Sequence, residues 1–384
     1  MTGYEVIRLN IPVVMRLYEE EAIEVLSGNE KKISPEKLHL DFAGDVHLTV
    51  ADDGSYQASC SLFGVIPLKT VEIEVVSKEE LIPGGIPVGI YIETDGIFVI
   101  GTGELETNNG TIDSPAKNVL KTGDYIISFQ GQNISKKQEL VELLEHFSED
   151  ELILGIRRNG EELEVAIKPE YIDEKCYLGL WIRDDTQGVG TLTFVKGDRT
   201  FGALGHGISD ADSNLLMESK EGRMYDCEIL AIIKGENGTP GKLSGKIVYG
   251  DRYLNGKVTE NSNSGIYGVA NEKLLKRIQR DKLPIALQHE VKEGEAVILS
   301  TVNGVLKEYK VQISKIHRGE REVNKGMELV VTDEELLELT GGIVQGMSGS
   351  PVIQNGRIVG AVTHVLVNDP TRGYGIFIEN MLEH

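Results

Sequence analysis

The stretch GGIVQGMSGSPVIQNGRIVGAVTHV, residues 341–365, has the pattern of a β-hairpin that is entered through a glycine-rich loop. An apolar strand begins at Pro351, Asn355-Gly356 is typical of a tight hairpin turn, and the returning strand begins near Ile358. The loop before the hairpin carries Ser348, where a rigid sheet would hold it while it stays open to solvent. Ser348 is therefore either an activated nucleophile or one of many serines in a glycine-rich turn.

Length and composition limit the class of protein. The 384 residues suffice for two or three domains with substantial cores. Lys and Arg total 39 against 61 for Asp and Glu, and the net charge of −22 argues against nucleic acid or an anionic membrane surface as partner. A hydrophobic content of 40% with 44 glycines favours a turn-rich, mainly β globular protein. The three cysteines have no metal-ligand spacing, and no apolar run is long enough to span a membrane.

The first 80 residues are predicted to form a β-rich module. The segments LHLDFAG, DVHLTVADDG and VEIEVV alternate apolar and polar residues, as half-buried strands do. No catalytic constellation is visible in this module.

Residues 81–172 have the order of elements of a PDZ domain. The A-x-x-x-L-x-x-G-D-x-I pattern of that family runs from Ala116 to Ile126, and a capped amphipathic helix follows over 135–147. The resemblance implies a groove between the second strand and this helix, in which an extended peptide binds by strand addition. The backbone amides of Gly84-Gly85-Ile86 would receive the terminal carboxylate of that peptide. The alternative is a PDZ fold that serves only as an internal brace.

Residues 173–384 consist mostly of short strands separated by glycine turns, and only NEKLLKRI and DEELLEL have a helical pattern. Many short strands of even spacing indicate a sandwich or closed barrels. Two barrels fit a region of roughly two hundred residues.

A serine nucleophile needs a base, an acid that orients the base, and amide donors for the oxyanion. The motif GMSGSP resembles the GDSGGP of chymotrypsin-like peptidases, in which the amides of Gly346 and Ser348 would form the oxyanion hole. The strand GAVTHV follows at the distance of the strand that lines the specificity pocket in those enzymes. Thr363, His364 and Val365 are therefore predicted to line the substrate pocket.

Among the eight histidines, His206 is the strongest candidate for the base, because it lies between two glycines at the end of an apolar strand. His364 is the rival, since a hairpin could bring it near Ser348, although a pocket-lining role suits its position better. His384 is the terminal residue. The other five are predicted to be structural or solvent-facing, namely His39, His47, His146, His289 and His317.

The orienting acid has four candidates. Asp210 and Asp212 follow His206 in a polar loop, where capping is the usual role, and Asp369 precedes a proline in a turn. Asp333 ends the strand MELVV and fits the N-cap of the helix EELLEL. The residues alone leave this choice open.

The run from Val331 to Leu382, VTDEELLELT to IENML, resembles the stage IV sporulation protein B peptidase family of endospore-forming bacteria. FGALGHGISD and the PDZ unit with its preceding LFGVIPLKTVEIEVV are similar to that family too. The resemblance implies a chymotrypsin-like double-barrel serine peptidase with an internal PDZ domain and no metal or organic cofactor. Its catalytic residues would be His206, Asp333 and Ser348. Asp333 would then cap its helix with one carboxylate oxygen and reach the imidazole with the other.

The resemblance also implies a biological role. Family members are exported from the forespore to the space between the two spore membranes. There they cleave themselves and a membrane-bound regulator that restrains the pro-sigma-K processing protease. They begin with an apolar anchor, which this chain lacks.

Two other interpretations of the chain are open. One is a non-catalytic PDZ peptide-binding adaptor on a peptidase-like scaffold that has lost activity. The other, a thiol enzyme, is disfavoured because no cysteine has a suitable base beside it in sequence.

Overall fold

A computed structural model describes residues 3–26, 32–40, 42–50, 55–107, 110–319 and 322–384. The described chain forms an N-terminal sheet, two closed β-barrels and a PDZ unit, so the mainly β fold class is confirmed. Within the described ranges, no helix is long and apolar enough to cross a membrane.

The N-terminal module is a five-stranded sheet with the strand order β1-β5-β4-β3-β2, in which β1 runs parallel to β5. Its core contains Leu17, Leu38, Val46 and Val71, which are almost fully buried, as the alternating pattern predicts. The bounds are α1 (Gly3–Asn10), β1 (Val14–Tyr18), α2 (Glu19–Leu26), β2 (Lys32–Ile33), a 3-10 helix (Pro35–Leu38), β3 (Gly44–Val50), β4 (Tyr56–Leu62) and β5 (Ile66–Val76).

The PDZ unit follows, and its core buries Ala116, Leu120 and Ile126 of the sequence pattern together with Leu140 of the amphipathic helix. The bounds of this region are β6 (Glu80–Pro83), β7 (Pro87–Thr102), β8 (Leu105–Thr107), β9 (Gly110–Ile112), β10 (Tyr125–Phe129), β11 (Gln132–Asn133), α3 (Lys137–Glu145), β12 (Leu152–Arg158), β13 (Glu161–Ile167), β14 (Glu170–Ile172), β15 (Lys175–Tyr177) and β16 (Leu180–Val195).

Two long strands, β7 and β16, connect the PDZ unit to the first barrel. They pair with each other from Pro87–Thr191 at one end to Thr102–Leu180 at the other. Val88, Ile90 and Ile92 of β7 are buried in the core of the first barrel, whereas Ile97 and Val99 are buried in the PDZ core. The structure thus places residues 81–92 in the barrel rather than in the PDZ unit. The PDZ unit is inserted into the barrel through one strand, which changes from one core to the other at a bulge that contains Gly96 with φ +101°.

The first barrel has six strands in the order β7-β18-β20-β21-β17-β16, and it closes because β16 also pairs with β7. The bounds of its remaining elements are β17 (Thr200–Ala203), β18 (Ser219–Ile233), β19 (Lys242–Val248), a 3-10 helix (Asp251–Tyr253), β20 (Leu254–Ser262), β21 (Gly265–Ala270), α4 (Glu272–Arg277) and β22 (Leu283–Pro284).

The second barrel is closed in the order β23-β24-β25-β28-β27-β26. Ile298, Tyr309, Leu329 and Val352 lie in its core with less than one per cent of their surface exposed. The bounds are a 3-10 helix (Gln288–Glu290), β23 (Gly294–Ser300), β24 (Lys307–Ile316), a 3-10 helix (Val323–Lys325), β25 (Met327–Val331), α5 (Glu334–Thr340), β26 (Pro351–Gln354), β27 (Arg357–Leu366), β28 (Asp369–Phe377) and α6 (Ile378–Met381). The predicted double barrel is confirmed.

Candidate active site

The loop that carries Ser348 connects α5 to β26 and lies against both barrels. The Ser348 carbonyl accepts a hydrogen bond from the amide of Thr191 in β16 at 2.8 Å. The Thr191 hydroxyl donates to the Gly346 carbonyl at 2.9 Å, and the Gly349 amide donates to the Val362 carbonyl at 2.7 Å. Since Thr191 belongs to the first barrel and Val362 to the second, the loop is held at the seam between them.

Two glycines in this loop have conformations that other residues rarely adopt. Gly346 has φ +99° and Gly349 has φ +93°. A Cβ on Gly349 would lie 2.0 Å from the Thr191 carbonyl oxygen, so only glycine allows the loop to approach the first barrel this closely. The backbone conformation of the loop therefore favours glycine at both positions, and its close approach to Thr191 also requires glycine at Gly349.

The amides of Gly346 and Ser348 donate to no described residue, although Gly346 is buried and Ser348 is half-buried. Unpaired buried amides are rare in folded proteins. Unpaired backbone amides of this kind, one on a serine and one two residues before it, can stabilise the oxyanion in acyl transfer. These two residues are the ones that the sequence motif indicates for the oxyanion hole.

His206 lies three residues after β17, in a turn where Leu204 and Gly205 both have positive φ. Its Nδ1 is 2.9 Å from the carbonyl oxygen of Gly207. Because that oxygen only accepts, Nδ1 must carry the proton, and the neutral ring keeps Nε2 free as the basic atom. Burial lowers the pKa of His206 below its ordinary value, although the hydrogen bond to Gly207 raises it. The imidazole is therefore neutral at pH 7, which is the form that accepts a proton.

Ser348 and His206 lie beside two consecutive residues of β27. The Ser348 hydroxyl donates to the Thr363 carbonyl at 2.6 Å. The His206 ring lies against the His364 ring, with centroids 4.9 Å apart and planes tilted by 33°. The structure therefore brings both residues to one site, with the serine hydrogen bond made to Thr363 rather than to the imidazole.

The three residues predicted to line the substrate pocket have different surroundings. Thr363 is buried, and its hydroxyl donates to the Asn324 carbonyl at 2.6 Å. His364 is half-buried beside His206, and its buried Nδ1 has no hydrogen-bond partner among the described residues. Burial and the nearby His206 lower the pKa of His364 to about 4. Val365 is half-buried and packs against the core of the second barrel.

Asp333 lies elsewhere. One carboxylate oxygen accepts from the Leu336 amide at 3.0 Å as the N-cap of α5, and the other accepts from the Lys310 amide at 3.1 Å. Asp333 follows the far end of β25, whereas Thr363 contacts Asn324 before its near end. The five residues of β25 span roughly 17 Å at about 3.3 Å per residue. Asp333 and Thr363 therefore lie toward opposite ends of this strand. The expectation that the second carboxylate oxygen reaches the imidazole is not met in this structure.

The other three aspartates do not replace it. Asp210 and Asp212 form ion pairs with Arg183, and Asp369 accepts from the hydroxyl of Thr371. Among the described residues, no carboxylate is hydrogen-bonded to His206. The Gly207 carbonyl is the group that orients the ring, and no side-chain pattern in the sequence could have indicated a backbone acceptor.

The PDZ carboxylate site is not at Gly84-Gly85-Ile86, and this expectation needs correction. The amides of Gly84 and Gly85 donate to the carbonyls of Thr193 and Leu192 at 2.8 Å each. The Ile86 side chain is buried in the first barrel. These residues thus form the connection between β6 and β7 against the first barrel, and the Gly84 and Gly85 amides are already used in hydrogen bonds to β16.

A groove of about 440 Å³ lies instead between α3 and the start of β16. Leu140, Val141 and Leu144 line it from the helix, and the segment 175–182 lines the other side. The amides of Leu178 and Gly179 donate to no described residue, and the β16 residues that follow pair with β7 on one edge only. A free strand edge beside a helix, with unpaired amides at its start, is the geometry that binds a peptide carboxyl terminus. The sequence signal for it is the run Tyr177-Leu178-Gly179-Leu180, an apolar-Gly-apolar turn that directly precedes a strand.

The fold and the site together define a class of protein. Two six-stranded barrels with a serine, a histidine and two free amides at their seam are the framework of double-barrel serine proteases. The sequence pattern of the SpoIVB peptidase S55 family matches residues 174–382, more than half of the chain, and a PDZ-domain pattern matches 105–168. The chain belongs to the SpoIVB peptidase S55 family of sporulation serine proteases and carries a PDZ domain.

Solved structures similar to parts of the chain are of two kinds. The first is the PDZ domain of the SdrC-like protein from Listeria monocytogenes, with 22% identity and a TM-score of 0.19, covering 23% of this chain and 90% of that one. The second is the Rv3671c protease from M. tuberculosis. Its active form has 14% identity and a TM-score of 0.31, covering 52% of this chain and 72% of that one. A comparison with curated proteins finds no match to the chain.

Proposed function

We propose that the chain is a serine endopeptidase in which Ser348 is the nucleophile and His206 the general base. The observation that carries this proposal is the convergence of both side chains on Thr363 and His364 beside the free amides of Gly346 and Ser348. Membership of the S55 family supports the same reaction class.

The reaction begins when the Ser348 hydroxyl leaves the Thr363 carbonyl and attacks a peptide carbonyl carbon. His206 takes the hydroxyl proton on Nε2, and the oxyanion receives the amides of Gly346 and Ser348. The tetrahedral intermediate collapses as His206 gives its proton to the leaving amine, which leaves an acyl-enzyme. A water molecule then hydrolyses the ester by the same steps in reverse. The Gly207 carbonyl accepts from Nδ1 throughout this cycle, both in the neutral ring and in the imidazolium that forms when Nε2 takes the proton.

The family resemblance assigns the orientation of the His206 ring to Asp333. The hydrogen bonds of the structure support the Gly207 carbonyl in that role instead. Because both carboxylate oxygens of Asp333 already accept backbone amides, we assign to it the position of α5 and of the Ser348 loop that follows. Substitution of Asp333 therefore distinguishes an orienting acid from a helix cap.

For the biological role, we propose that the enzyme cleaves itself and a membrane-bound regulator of the pro-sigma-K processing protease. The site of action would be the space between the two spore membranes. Family membership supports the link to sporulation, and the groove beside α3 offers a place to bind an extended peptide of a substrate or partner.

The test is to incubate the purified chain and its Ser348→Ala variant with a fluorophosphonate probe, and to follow both by mass spectrometry. We expect labelling of Ser348 and self-cleavage in the parent and neither in the variant. Thr363→Ser, which keeps the backbone acceptor of the Ser348 hydroxyl, serves as a matched control that should still be labelled. A parent chain that is neither labelled nor cleaved, under conditions where a known serine peptidase reacts, would contradict the proposal.

The second candidate is a non-catalytic PDZ adaptor. The observation in its favour is that the Ser348 hydroxyl is bonded to the Thr363 carbonyl and not to His206. This function predicts peptide binding at the groove beside α3 in a chain that no serine-directed probe labels.

A further inference from the structure

Three metal-binding side chains from distant parts of the sequence meet where the N-terminal module packs against the peptidase barrels. Glu21 lies on α2, His39 follows the 3-10 helix Pro35–Leu38, and His289 lies in the 3-10 helix Gln288–Glu290. One potential ligand atom from each lies within 4.8 Å of the others. The proposed mechanism of Ser348 and His206 uses none of these three side chains.

His289 is the buried member of the cluster. Only 8% of its surface is exposed, and its Nε2 is buried without a hydrogen-bond partner. A carboxylate oxygen of Glu21 is 3.6 Å from this nitrogen, which is beyond the length of a hydrogen bond. Buried polar atoms are nearly always satisfied in folded proteins, so this nitrogen is placed to bind a partner that none of the described residues supplies.

The neighbours orient the other two members. The second carboxylate oxygen of Glu21 accepts from the Tyr18 amide at 3.0 Å, which fixes the carboxylate beside His289. His39 has φ +52°, and this backbone conformation stacks its ring on that of His289 with centroids 4.5 Å apart. Glu290 is not available as a fourth ligand, because its carboxylate accepts from Arg357 and from the Leu287 amide.

We propose that Glu21, His39 and His289 bind one divalent transition-metal ion, with Zn²⁺ as the ion that the donor set fits best. Two imidazole nitrogens and one carboxylate oxygen are common zinc ligands, and water would complete a tetrahedral site. Zinc bonds of about 2.0–2.2 Å place the ligand atoms roughly 3.3 Å apart in a tetrahedron. The 3.6 Å between His289 and Glu21 is close to this value, and the exposed His39 ring has room to turn toward the ion.

The ion would fasten the N-terminal module to the barrels. Two of its ligands belong to the N-terminal module and the third to the segment that connects the two barrels. The same interface contains the hydrogen bond from the Tyr18 hydroxyl to the Ile285 carbonyl at 3.2 Å. A metal bond between segments this far apart in sequence stabilises the docked arrangement, since the separated segments do not form the site.

The experiment uses the full chain with Ser348→Ala, so that self-cleavage cannot interfere and a failure of the proposed peptidase function leaves the test intact. After chelation, Zn²⁺ is titrated by calorimetry and Co²⁺ by absorption. We expect one ion per chain and a Co²⁺ spectrum of a four-coordinate nitrogen and oxygen site.

His39→Ala and Glu21→Gln should each weaken Zn²⁺ binding at least ~10-fold, since loss of a ligand costs more than loss of an outer partner. His146→Ala, at an exposed histidine in the PDZ unit, is the matched control and should bind as the parent does.

His39 is exposed, so His39→Ala should fold even if a change at buried His289 does not. The unfolding temperature should rise with Zn²⁺ in the parent and in His146→Ala, and stay unchanged in His39→Ala. If folded His39→Ala binds Zn²⁺ as tightly as the parent, or if the parent binds no ion at micromolar concentrations, the metal site does not exist.

Discussion

The Ser348 hydroxyl donates to the carbonyl of Thr363 across 2.6 Å, while His206 lies against the next residue of the same strand, His364. Moving the hydroxyl to the imidazole costs one neutral hydrogen bond, worth about 0.5–1.5 kcal/mol net. Peptide binding at the seam readily supplies that amount. The barrels therefore hold the proposed nucleophile and the proposed base against consecutive residues of β27, and the proposed mechanism requires a substrate to change the hydrogen bond of Ser348.

The burial of His206 predicts the pH dependence of the reaction. The base must be neutral, and burial lowers its pKa, so activity should be full at pH 7 and fall only as pH drops through a value below about 6.5. The measurement is the rate of fluorophosphonate labelling of Ser348 between pH 4 and 8. His364→Gln removes a ring that shields His206, so the midpoint of the acid limb should move up toward 6.5 in this variant. A parent midpoint at or above 6.5 would mean that a more exposed group is the base.

The contacts of Asp333 predict different results for two substitutions. Asparagine caps helices about as well as aspartate, so Asp333→Asn can keep the contact to Leu336, loses the acceptor for Lys310, and should lower the labelling rate less than ~10-fold. Asp333→Ala removes the cap of α5 and should destabilise the chain by about 1–2 kcal/mol. The measurements are the labelling rate and the urea midpoint of both variants. Were Asp333 the orienting acid, Asp333→Asn would instead reduce the rate on the order of 10⁴-fold without loss of stability.

Part of the candidate site can be predicted from local sequence, because some of its features depend on neighbouring residues only. The GMSGSP motif leads to Ser348 and to the unpaired amides of Gly346 and Ser348, the glycines around His206 lead to the proposed base, and the helix pattern after Asp333 indicates an N-cap. Long-range geometry has no such signal. The Gly207 carbonyl has no side-chain signature, and only the closure of the second barrel shows that Asp333 and Ser348 lie at different places in it. The start of the PDZ unit, predicted at residue 81, is hard to read from sequence for a related reason, because the single strand β7 contributes side chains to both cores.

The groove beside α3 predicts where a PDZ ligand binds. Leu144 lines it from the helix, and an apolar side chain of that size contributes about 1.5–3 kcal/mol when buried. Leu144→Glu should therefore weaken the binding of short peptides with an apolar carboxyl-terminal residue at least ~10-fold. Ile153→Glu, an equivalent change at an exposed apolar residue of β12, is the matched control and should leave affinity unchanged.

The carboxyl terminus of the peptide and the control variant Ile153→Glu test the same groove further. Amidation of the peptide terminus should weaken binding to the parent, because the free amides of Leu178 and Gly179 lose a charged acceptor. If Ile153→Glu and Leu144→Glu lose affinity equally, the groove is not the binding site. The measurement is fluorescence anisotropy with the Ser348→Ala chain, in which no peptide is hydrolysed.

The glycines of the site predict a contrast between clash and backbone strain. Gly349 and Gly356 both have positive φ, at +93° and +74°. A Cβ on Gly349 would meet the Thr191 oxygen at 2.0 Å and the Leu204 nitrogen at 2.5 Å, whereas a Cβ on Gly356 meets nothing within 4 Å. Gly356→Ala should therefore cost only the left-handed strain, about 1–2 kcal/mol, and keep the Ser348 labelling rate. Gly349→Ala adds a clash with the backbone of the first barrel, so it should cost more than ~3 kcal/mol and abolish labelling. The measurements are the free energy of unfolding in urea and the rate of probe labelling for both variants. Equal losses of stability and of labelling rate in the two variants would show that the Ser348 loop does not depend on its contact with Thr191.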